Sequence, residues 1–360
     1  MSRRDDIDSY DDDYSPRVRA DRRGSRPRTK HRPSHQGALP GFVIGVDRGR
    51  YRVILGEGGA DERVITCARA RELRGEAIVI GDVVECVGDT SGAEGSLARI
   101  VRLRPRTTVL RRSGDDTDTI ERIIVANADQ LFMVVAAASP EPRLRLIDRY
   151  VVAALDAGLR PLMCVTKTDL ASADELRAYA HALSIDLIER SPDSPALEEI
   201  APLLQAHTTV LVGHSGVGKS TLVNDLVPGT DRAVGRVNEV TGRGRHTSSS
   251  SVALPLPTGG WIIDTPGIRS FGLGHISSSS IVSGFSDLES FTLSCPKACT
   301  HESGASECEL EKALTAGVLD DMLTARARSL QRLMATIHHS AAPSDEPSTT
   351  DSPSSTTLRG

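Results

Sequence analysis

A glycine-rich segment in the second half of the chain has the spacing of a phosphate-binding loop. Residues 213–220 match G-x-x-x-x-G-K-[ST]. The glycines let backbone N–H groups surround phosphate oxygens, Lys219 would reach the β- and γ-phosphates, and Ser220 would ligate Mg²⁺. Apolar residues 208–212 predict a preceding strand, and 220–226 predict a helix. The predicted nucleotide contacts here are Gly213, His214, Ser215, Gly216, Val217, Gly218, Lys219, Ser220 and Thr221.

A carboxylate that could serve the same site follows this loop. Asp264, Thr265, Pro266 and Gly267 come after the apolar run 261–263, which predicts a strand ending at the aspartate. Asp264 would then stand on the Mg²⁺ side of the nucleotide, and Gly267 would offer its N–H group to the γ-phosphate. Alone, the sequence is also a common turn. The strand before it and the phosphate loop favour the functional interpretation.

A base-reading motif precedes the phosphate loop. Thr166, Lys167, Thr168 and Asp169 follow the apolar run 161–165. Asp169 can accept hydrogen bonds from guanine N1–H and from the exocyclic amine, two donors that adenine lacks. Lys167 would lie along the base, and Thr166 stands where such a motif usually has asparagine. Turns of this composition are common without a ligand, so the prediction depends on the flanking strand and the phosphate loop.

The order of these motifs is reversed relative to an ordinary GTPase, in which the phosphate loop precedes the guanine-reading motif. Here 213–220 follows 166–169, and 264–267 comes last. The chain resembles the circularly permuted, ribosome-small-subunit-dependent GTPase A family (RsgA/YjeQ) over roughly residues 38–335. Further stretches that carry the resemblance are 126–130, 146–150, 242–247 and 264–273, and Ser191-Pro192 stands where the family usually has Ser-Ala.

The resemblance implies a GTP phosphohydrolase that is stimulated by the small ribosomal subunit. It would bind GTP with Mg²⁺, and GDP, and would act on the 30S subunit and its 16S rRNA as a late-stage assembly factor. We expect a cytoplasmic monomer without membrane contact. A nucleotide-gated rRNA-binding adaptor with negligible hydrolysis remains an alternative, whereas Asp169 disfavours an ATP-using kinase.

The segment 242–247 resembles the family's switch I and contains residues that could support hydrolysis. Many GTPases place a water-orienting Gln directly after the third motif, where this chain has Ile268, which cannot orient water. His246 can accept a proton or hold a water near neutral pH. The alternative is a histidine that serves only loop structure or RNA contact. The predicted catalytic residues are His246, Lys219 and Thr247, and the predicted Mg²⁺ ligands are Ser220, Thr247 and Asp264.

A cysteine and histidine cluster follows these motifs. Cys295, Cys299, His301 and Cys308 have the pattern C-x₃-C-x-H-x₆-C. Three thiolates and one imidazole form a tetrahedral donor set typical of structural zinc, and the family carries zinc here. Free buried cysteines beside a surface histidine are the alternative. With no open coordination position, we predict that one zinc ion contributes to folding and not to catalysis.

The predicted fold class is α/β: a circularly permuted P-loop GTPase domain with an N-terminal OB-fold β-barrel and a C-terminal zinc-binding helical domain. Strands at 130–138, 161–166, 185–190 and 208–212 should alternate with helices near 144–157, 172–183, 196–205 and 219–227, which implies a mostly parallel sheet. The predicted parts are 1–37, a disordered charged arm; 38–112, the OB-fold; 113–275, the GTPase domain; 276–339, the zinc-binding domain; and 340–360, a disordered Ser/Thr/Pro-rich tail.

The barrel is predicted from short apolar runs separated by Gly and Asp turns. The runs are 42–44, 51–55, 63–66 and 77–80, and a further strand begins near 81–84. Six arginines follow without an acid among them, and alternation would put Arg102, Arg104 and Arg106 on one strand face. We favour a phosphate-contacting face over a plain solvated one.

Length and charge set limits on the class of protein. The 360 residues can hold two or three small domains, and the net charge of −5 means that nucleic-acid binding must be inferred from local charge. No apolar signal segment or run of about 18 apolar residues is visible, which favours the cytosol. The arm 1–37 carries acidic and basic blocks in sequence; it is either a solvated tail or an RNA-contacting arm. The helical residues 310–338 should break at Gly317.

Overall fold

Alternating apolar residues in the N-terminal third form a closed five-stranded barrel. The computed structural model describes residues 35–113, 121–229, 251–265, 271, 273 and 276–340. The barrel strands are β1 (Leu39–Asp47), β2 (Arg50–Leu55), β3 (Arg63–Arg69), β4 (Val83–Gly88) and β5 (Ala98–Leu103). They neighbour one another in the order β1-β2-β3-β5-β4, and β4 pairs again with β1. This closure confirms the predicted OB-fold barrel.

The predicted strand at 77–80 was wrong. A 3₁₀ turn at Arg71–Leu73 precedes this segment, and Ile80 makes only an isolated bridge with Val125. Ile78 and Ile80 are nevertheless buried. The apolar run at 77–80 therefore predicted that its side chains are buried. It did not predict whether its backbone pairs with a neighbouring strand.

Three of the arginines after β4 have acidic partners, so the predicted shared face is only partly formed. Arg102 pairs with Glu85 at 2.5 Å, and the end of β5 at Leu103 breaks the alternation. Arg106 donates to both oxygens of the fully buried Asp82, at 2.7 and 2.8 Å. Arg106 is thus committed to holding the barrel together and is not a free phosphate contact.

A second set of strands forms a mostly parallel sheet. A short antiparallel pair, β6 (Val109–Ser113) and β7 (Glu121–Ala126), lies on either side of the boundary predicted at 112/113. The order in the main sheet is β10-β9-β8-β11-β13-β12, with only the β12–β13 pair antiparallel. Its strands are β8 (Gln130–Ala136), β9 (Arg160–Thr166), β10 (Asp186–Glu189), β11 (Thr208–Val212), β12 (Val252–Pro255) and β13 (Trp261–Asp264).

Helices cover both faces of this sheet, as predicted. They are α1 (Leu144–Asp156), α2 (Asp174–Ala182), α3 (Leu197–Leu204) and α4 (Lys219–Leu226). One buried cluster joins α1 and α2 to the sheet, and a separate one joins α3 and α4 to the opposite face. The predicted alternation of strands and helices is therefore confirmed, with ends within about two residues of those expected.

The barrel is continuous with the edge of the main sheet. Gly45 of β1 pairs with Val252 of β12. The Phe42 ring packs against Trp261 at a centroid distance of 5.3 Å, and the Trp261 indole N–H donates to Glu57 between β2 and β3. Strands β12 and β13 thus contact the barrel directly.

The C-terminal part is helical. Its helices are α5 (Ser278–Val282), α6 (Glu289–Thr292), α7 (Glu309–Ala316) and α8 (Asp321–Ser340). Gly317 ends α7 in the left-handed region at φ 64°, which confirms the predicted break. Arg332 of α8 donates to the buried Asp148 of α1 at 3.0 Å, which ties this part to the sheet domain. No helix within the described ranges is both long and apolar enough to cross a membrane.

Candidate nucleotide site and metal cluster

The phosphate loop connects β11 to α4 and needs its glycines. Gly216 and Gly218 have φ values of 83° and 91°, a backbone region that side chains rarely allow. A Cβ atom at Gly213 would lie 2.6 Å from the carbonyl oxygen of Val134 on the neighbouring strand β8. The local backbone geometry therefore requires glycine at each of these positions. The loop leads into the N-terminus of α4, as predicted.

Lys219 and Asp264 meet at the end of two adjacent strands. Lys219 Nζ donates to Asp264 Oδ1 at 2.6 Å, and both side chains are partly buried. The two residues are brought together because β11 and β13 run parallel with Leu211 opposite Asp264. Thr265 strengthens this junction, since its buried hydroxyl donates to the carbonyl of Leu211 at 2.9 Å. A cation and a carboxylate thus lie beside the phosphate loop.

The base-reading motif is joined to the phosphate loop through Thr166. This residue ends β9 and is buried, and its hydroxyl donates to the carbonyl of Val217 at 2.6 Å. Val217 lies within the phosphate loop. A hydroxyl at position 166 therefore makes the bridge between two motifs that are separated by 51 positions in the chain.

The remaining residues of the motif form an open turn after β9. Lys167 has a φ of 59°, and its Nζ donates to the carbonyl of Ser139. Thr168 Oγ1 donates to the carbonyl of Arg190 at 3.2 Å, which connects this turn to the end of β10. Asp169 is exposed. A carboxylate in that position is free of burial and able to accept from a base.

Arg190 and Asp225 belong to the same region and were missed from the sequence. Arg190 follows β10 directly, and its Nη2 donates to Asp225 Oδ2 on α4 at 2.6 Å. Burial raises the pKa of the nearby Cys164 thiol to about 12, and the positive charge of Arg190 opposes that rise. A lone arginine before Ser191-Pro192 was the only signal, and nothing local indicates its partner.

Three predicted site residues lie outside the described residues. These are His246, Thr247 and Gly267, together with Ile268, and their placement stays a prediction. The described part of the site comprises the phosphate loop, Asp264 and the 166–169 turn. The structure brings these to one edge of the sheet, at the carboxyl ends of β11, β13 and β9, where α/β sheets bind ligands.

The four predicted metal-ligating residues converge near the start of α7. The ligand atoms of Cys295, Cys299, His301 and Cys308 all lie within 4.8 Å of one another. Cys295 and Cys308 Sγ are 3.8 Å apart, and Cys308 Sγ is 3.7 Å from His301 Nδ1. The cluster could hold a metal ion.

Proton affinities in this cluster reflect its partial burial. Burial raises the pKa of Cys308 to about 12, while burial and the neighbouring His338 lower the pKa of His301. The amide of Glu309 donates to Cys295 Sγ at 3.3 Å. A metal bound here would displace the proton of the Cys308 thiol.

Comparison with known proteins agrees with this geometry. Residues 103–274 match the RsgA GTPase family. "Small ribosomal subunit biogenesis GTPase RsgA" of Pseudomonas savastanoi pv. phaseolicola is 38% identical over 285 residues, covering 77% of this chain and 80% of that protein. The protein of the same name from Azotobacter vinelandii is 38% identical over 263 residues, covering 71% and 74%.

Two solved structures share the fold. The crystal structure of YjeQ from Thermotoga maritima superposes with a TM-score of 0.61 at 23% identity, covering 83% of this chain and 98% of that one. YloQ, described as a circularly permuted GTPase, gives a TM-score of 0.60 at 25% identity, with coverage of 86% and 98%. The family match and the relatives that are 38% identical over most of both chains, together with these two structures, lead to one conclusion: this chain belongs to the RsgA GTPase family.

Proposed function

We propose that the protein binds GTP at the edge formed by 213–221, Asp264 and 166–169, and hydrolyses it while bound to the small ribosomal subunit. It would act late in assembly of that subunit and leave after hydrolysis. GTP hydrolysis in small-subunit biogenesis is the activity named for its relatives in the RsgA family. A cytoplasmic location and a monomeric state complete the proposal.

The observation that carries the proposal is the convergence of motifs that are out of order in the chain. The 166–169 turn precedes the phosphate loop by more than forty positions, yet Thr166 donates to Val217 inside that loop. Lys219 reaches Asp264 from the other side at 2.6 Å. A guanine-reading carboxylate, a phosphate cradle and a cation-binding carboxylate therefore share one sheet edge, which is the arrangement that GTP requires.

Mg²⁺ would be held by oxygen donors of this edge. We propose Ser220 and Asp264 as ligands, with Thr247 from the 242–247 segment. Hydroxyl and carboxylate oxygens suit Mg²⁺, and Asp264 ends β13 next to the phosphate loop. When bound with GTP, the ion neutralises charge on the β- and γ-phosphates. Lys219, which pairs with Asp264 at 2.6 Å, would contact the same phosphate oxygens.

We propose that His246 activates the attacking water. Position 268 is isoleucine, and an aliphatic side chain cannot polarise water. A histidine beside Thr247 could hold the attacking water at neutral pH. Gly267 would support the γ-phosphate through its N–H group. Stimulation by the ribosome would then consist of aligning His246 and the attacking water with the γ-phosphate.

Zinc is the ion we propose for the Cys295, Cys299, His301 and Cys308 cluster. Tetrahedral bonds of about 2.3 Å place two sulfur atoms about 3.8 Å apart. The separation of Cys295 and Cys308 Sγ is 3.8 Å, which supports the assignment. With four protein ligands, the ion would stabilise the fold and would take no part in hydrolysis.

Binding of rRNA would use more than one of the proposed domains 38–112, 113–275 and 276–339. On the barrel and its exit we propose the exposed Arg99 and Arg111 as phosphate contacts, with Arg102 and Arg104 adjusting their pairing to Glu85. Exposed ion pairs are weak enough to exchange for phosphate. Arg106 is left out, because its partner Asp82 is fully buried.

A GTPase assay with and without purified small subunits tests the proposal. We expect slow release of phosphate by the protein alone and a rate at least tenfold higher with subunits, the scale at which an added group acts in general acid–base catalysis. Asp169→Asn should shift preference from GTP to xanthosine triphosphate, since the amide can donate to the extra carbonyl of xanthine. GTP binding without turnover under either condition would instead favour the nucleotide-gated adaptor.

A further inference from the structure

Arg190 connects the two ends of the nucleotide site through its backbone and its side chain. Its N–H group donates to the carbonyl of Val165 at 2.8 Å, directly before the base-reading motif. Its own carbonyl accepts from Thr168 Oγ1 at 3.2 Å. The backbone of Arg190 therefore sets the position of the turn that carries Asp169.

The side chain points away from that turn, into the packed face between the sheet and α4. It is 9% exposed, and Nη2 donates to Asp225 Oδ2 at 2.6 Å. Within the part of the chain that the structure describes, Nη1 is buried without a hydrogen-bond partner. A buried cation with one carboxylate is strongly dependent on it, because losing either partner leaves an uncompensated charge or an unmet donor.

Asp225 lies on the helix that begins at Lys219. Lys219 and Ser220 of the phosphate loop begin this helix, and Asp225 lies in its last turn. The Arg190–Asp225 pair thus spans the gap between the base-reading turn and the helix that follows the phosphates. Ser191-Pro192 follows Arg190 directly, so the same pair also lies beside the start of that segment.

We propose that Arg190 is a positioning residue for guanine recognition, holding the Asp169 turn at a fixed distance from the phosphate loop through its ion pair with Asp225. The proposal rests on the proposed function, since it assumes that the base lies against Asp169. Guanine is recognised by two hydrogen bonds to one carboxylate, and such bidentate contacts tolerate little displacement. A small shift of the turn would therefore weaken contact with the base and leave the phosphate contacts intact.

A structural ion pair without influence on the nucleotide is the competing explanation, and the chain offers a matched control for it. Arg160 and Asp186 form an ion pair between β9 and β10, the strands that lead into the base-reading turn and into Arg190, at the opposite end of those strands. That pair is half exposed and lies at the strand ends remote from the motifs. Removing it should affect the sheet without affecting the base-reading turn.

The experiment compares Arg190→Met, Asp225→Asn and Arg160→Met in the full chain. Affinities for GTP and inosine triphosphate are measured by displacement of a fluorescent guanine nucleotide, with melting temperature and kcat at saturating GTP in parallel. Inosine triphosphate lacks the exocyclic amine, so the ratio of the two affinities reports contact with Asp169. Asp225 is more exposed than Arg190, and its variant provides a second test if Arg190→Met does not fold.

We expect the Kd for GTP to rise about tenfold in Arg190→Met and Asp225→Asn, the effect of losing one charge-assisted hydrogen bond. The preference for GTP over inosine triphosphate should fall, kcat should stay within about twofold, and Arg160→Met should match the wild type. An unchanged GTP preference in both site variants overturns the inference alone. A wild-type protein without any preference for GTP overturns the proposed function and this inference together.

Discussion

Thr166 shows what a motif position requires when its usual residue is absent. An asparagine at this position carries an amide donor, and threonine is one atom shorter. The hydroxyl of Thr166 still reaches the carbonyl of Val217, at 2.6 Å, from a buried position at the end of β9. The chemical requirement is thus one buried donor aimed at the phosphate loop, which either residue can supply.

Removing that donor should disturb the nucleotide site. In Thr166→Val the shape is kept, but the carbonyl of Val217 loses its buried partner, at a cost of about 1–3 kcal/mol in unfolding free energy. Because the lost bond joins two motifs, we expect nucleotide affinity to fall about tenfold as well. Thr209→Val is the control, since it removes another buried hydroxyl bond of the sheet, to Gln130 at 3.0 Å.

Both variants should show a lower melting temperature, whereas only Thr166→Val should bind mant-GDP more weakly. Equal affinity in the two variants would contradict a bridging role for Thr166. Thr166→Asn provides the complementary measurement, because an amide donor should preserve binding.

Residues whose partners are close in sequence could be predicted, and those with distant partners could not. The phosphate loop is a local pattern, because each of its glycines is required either by its own backbone φ angle or by close contact with the adjacent strand. Arg190 and Asp225 are 35 positions apart, and Arg106 and Asp82 are 24 apart. An arginine carries no local sign of which carboxylate it will meet, so Arg106 was predicted on a phosphate-contacting face, whereas it is partly buried and pairs with the fully buried Asp82.

Apolar patterns predicted most elements because they report burial. They were wrong at 77–80, where Ile78 and Ile80 are buried without a ladder partner beyond one bridge. They also gave no sign of the β6–β7 pair, since Arg111 and Arg112 interrupt the apolar pattern of β6. Pairing depends on backbone neighbours that lie far away in sequence, which explains both errors.

The Cys295, Cys299, His301 and Cys308 cluster and α7 should behave as one element. Cys308 lies immediately before α7, and the Glu309 amide donates to Cys295 at the start of that helix. Helix α8 has separate anchors, because Arg326 pairs with Asp287 and Arg332 pairs with Asp148. Loss of metal should therefore release the Cys295 to Ala316 segment while α8 remains docked.

Hydrogen exchange with and without a chelator tests this expectation. We expect protection of amides in 295–316 to fall by at least tenfold after chelation, since the metal supplies much of the folding free energy of such a loop. Amides of α8 near Leu330 and Leu333, both fully buried, should keep their protection. Cys308→Ser should reproduce the effect without chelator, and equal protection in all samples would rule out a structural metal.

Permutation of the chain changes its connections but leaves the sheet order of nucleotide motifs intact. The strands that carry them, β9, β11 and β13, end at one edge although the chain reaches them in an unusual order. The permutation determines where the barrel and the C-terminal helical part connect to the sheet. The barrel contacts the sheet through β12 and Trp261, and the metal-binding part follows directly after the segment that begins at Asp264.

Helix α1 is where these attachments meet. Three consecutive residues contact different parts of the molecule: Asp148 accepts from Arg332 of α8, Arg149 donates to the carbonyl of Phe271, and Tyr150 packs edge-on against the Phe271 ring. Phe271 lies seven residues after Asp264. Phe271, which follows Asp264 in the chain, and helix α8 of the C-terminal part therefore both contact helix α1. Through α1, a structural change at one of them could alter the other.

Arg332→Met should weaken this connection and with it the response to the ribosome. Among the residues that the structure describes, the variant leaves Asp148 with the Tyr179 hydroxyl, at 2.8 Å, as its one side-chain donor, and we expect a loss of about 1–3 kcal/mol in unfolding free energy. GTP hydrolysis by the protein alone should be unchanged, while stimulation by small subunits should drop several-fold, because α8 no longer holds α1 in place. Both rates come from the same phosphate-release assay.

Arg328→Met separates docking from charge. Arg328 lies one turn earlier on α8 and is exposed, so its removal takes the same charge from the helix without touching Asp148. If docking of α8 on α1 transmits the response, Arg328→Met retains stimulation at saturating subunits even where its affinity for them falls. Equal loss of maximal stimulation in the two variants would assign the effect to contact between α8 and rRNA, and would remove α1 from the pathway between nucleotide and ribosome.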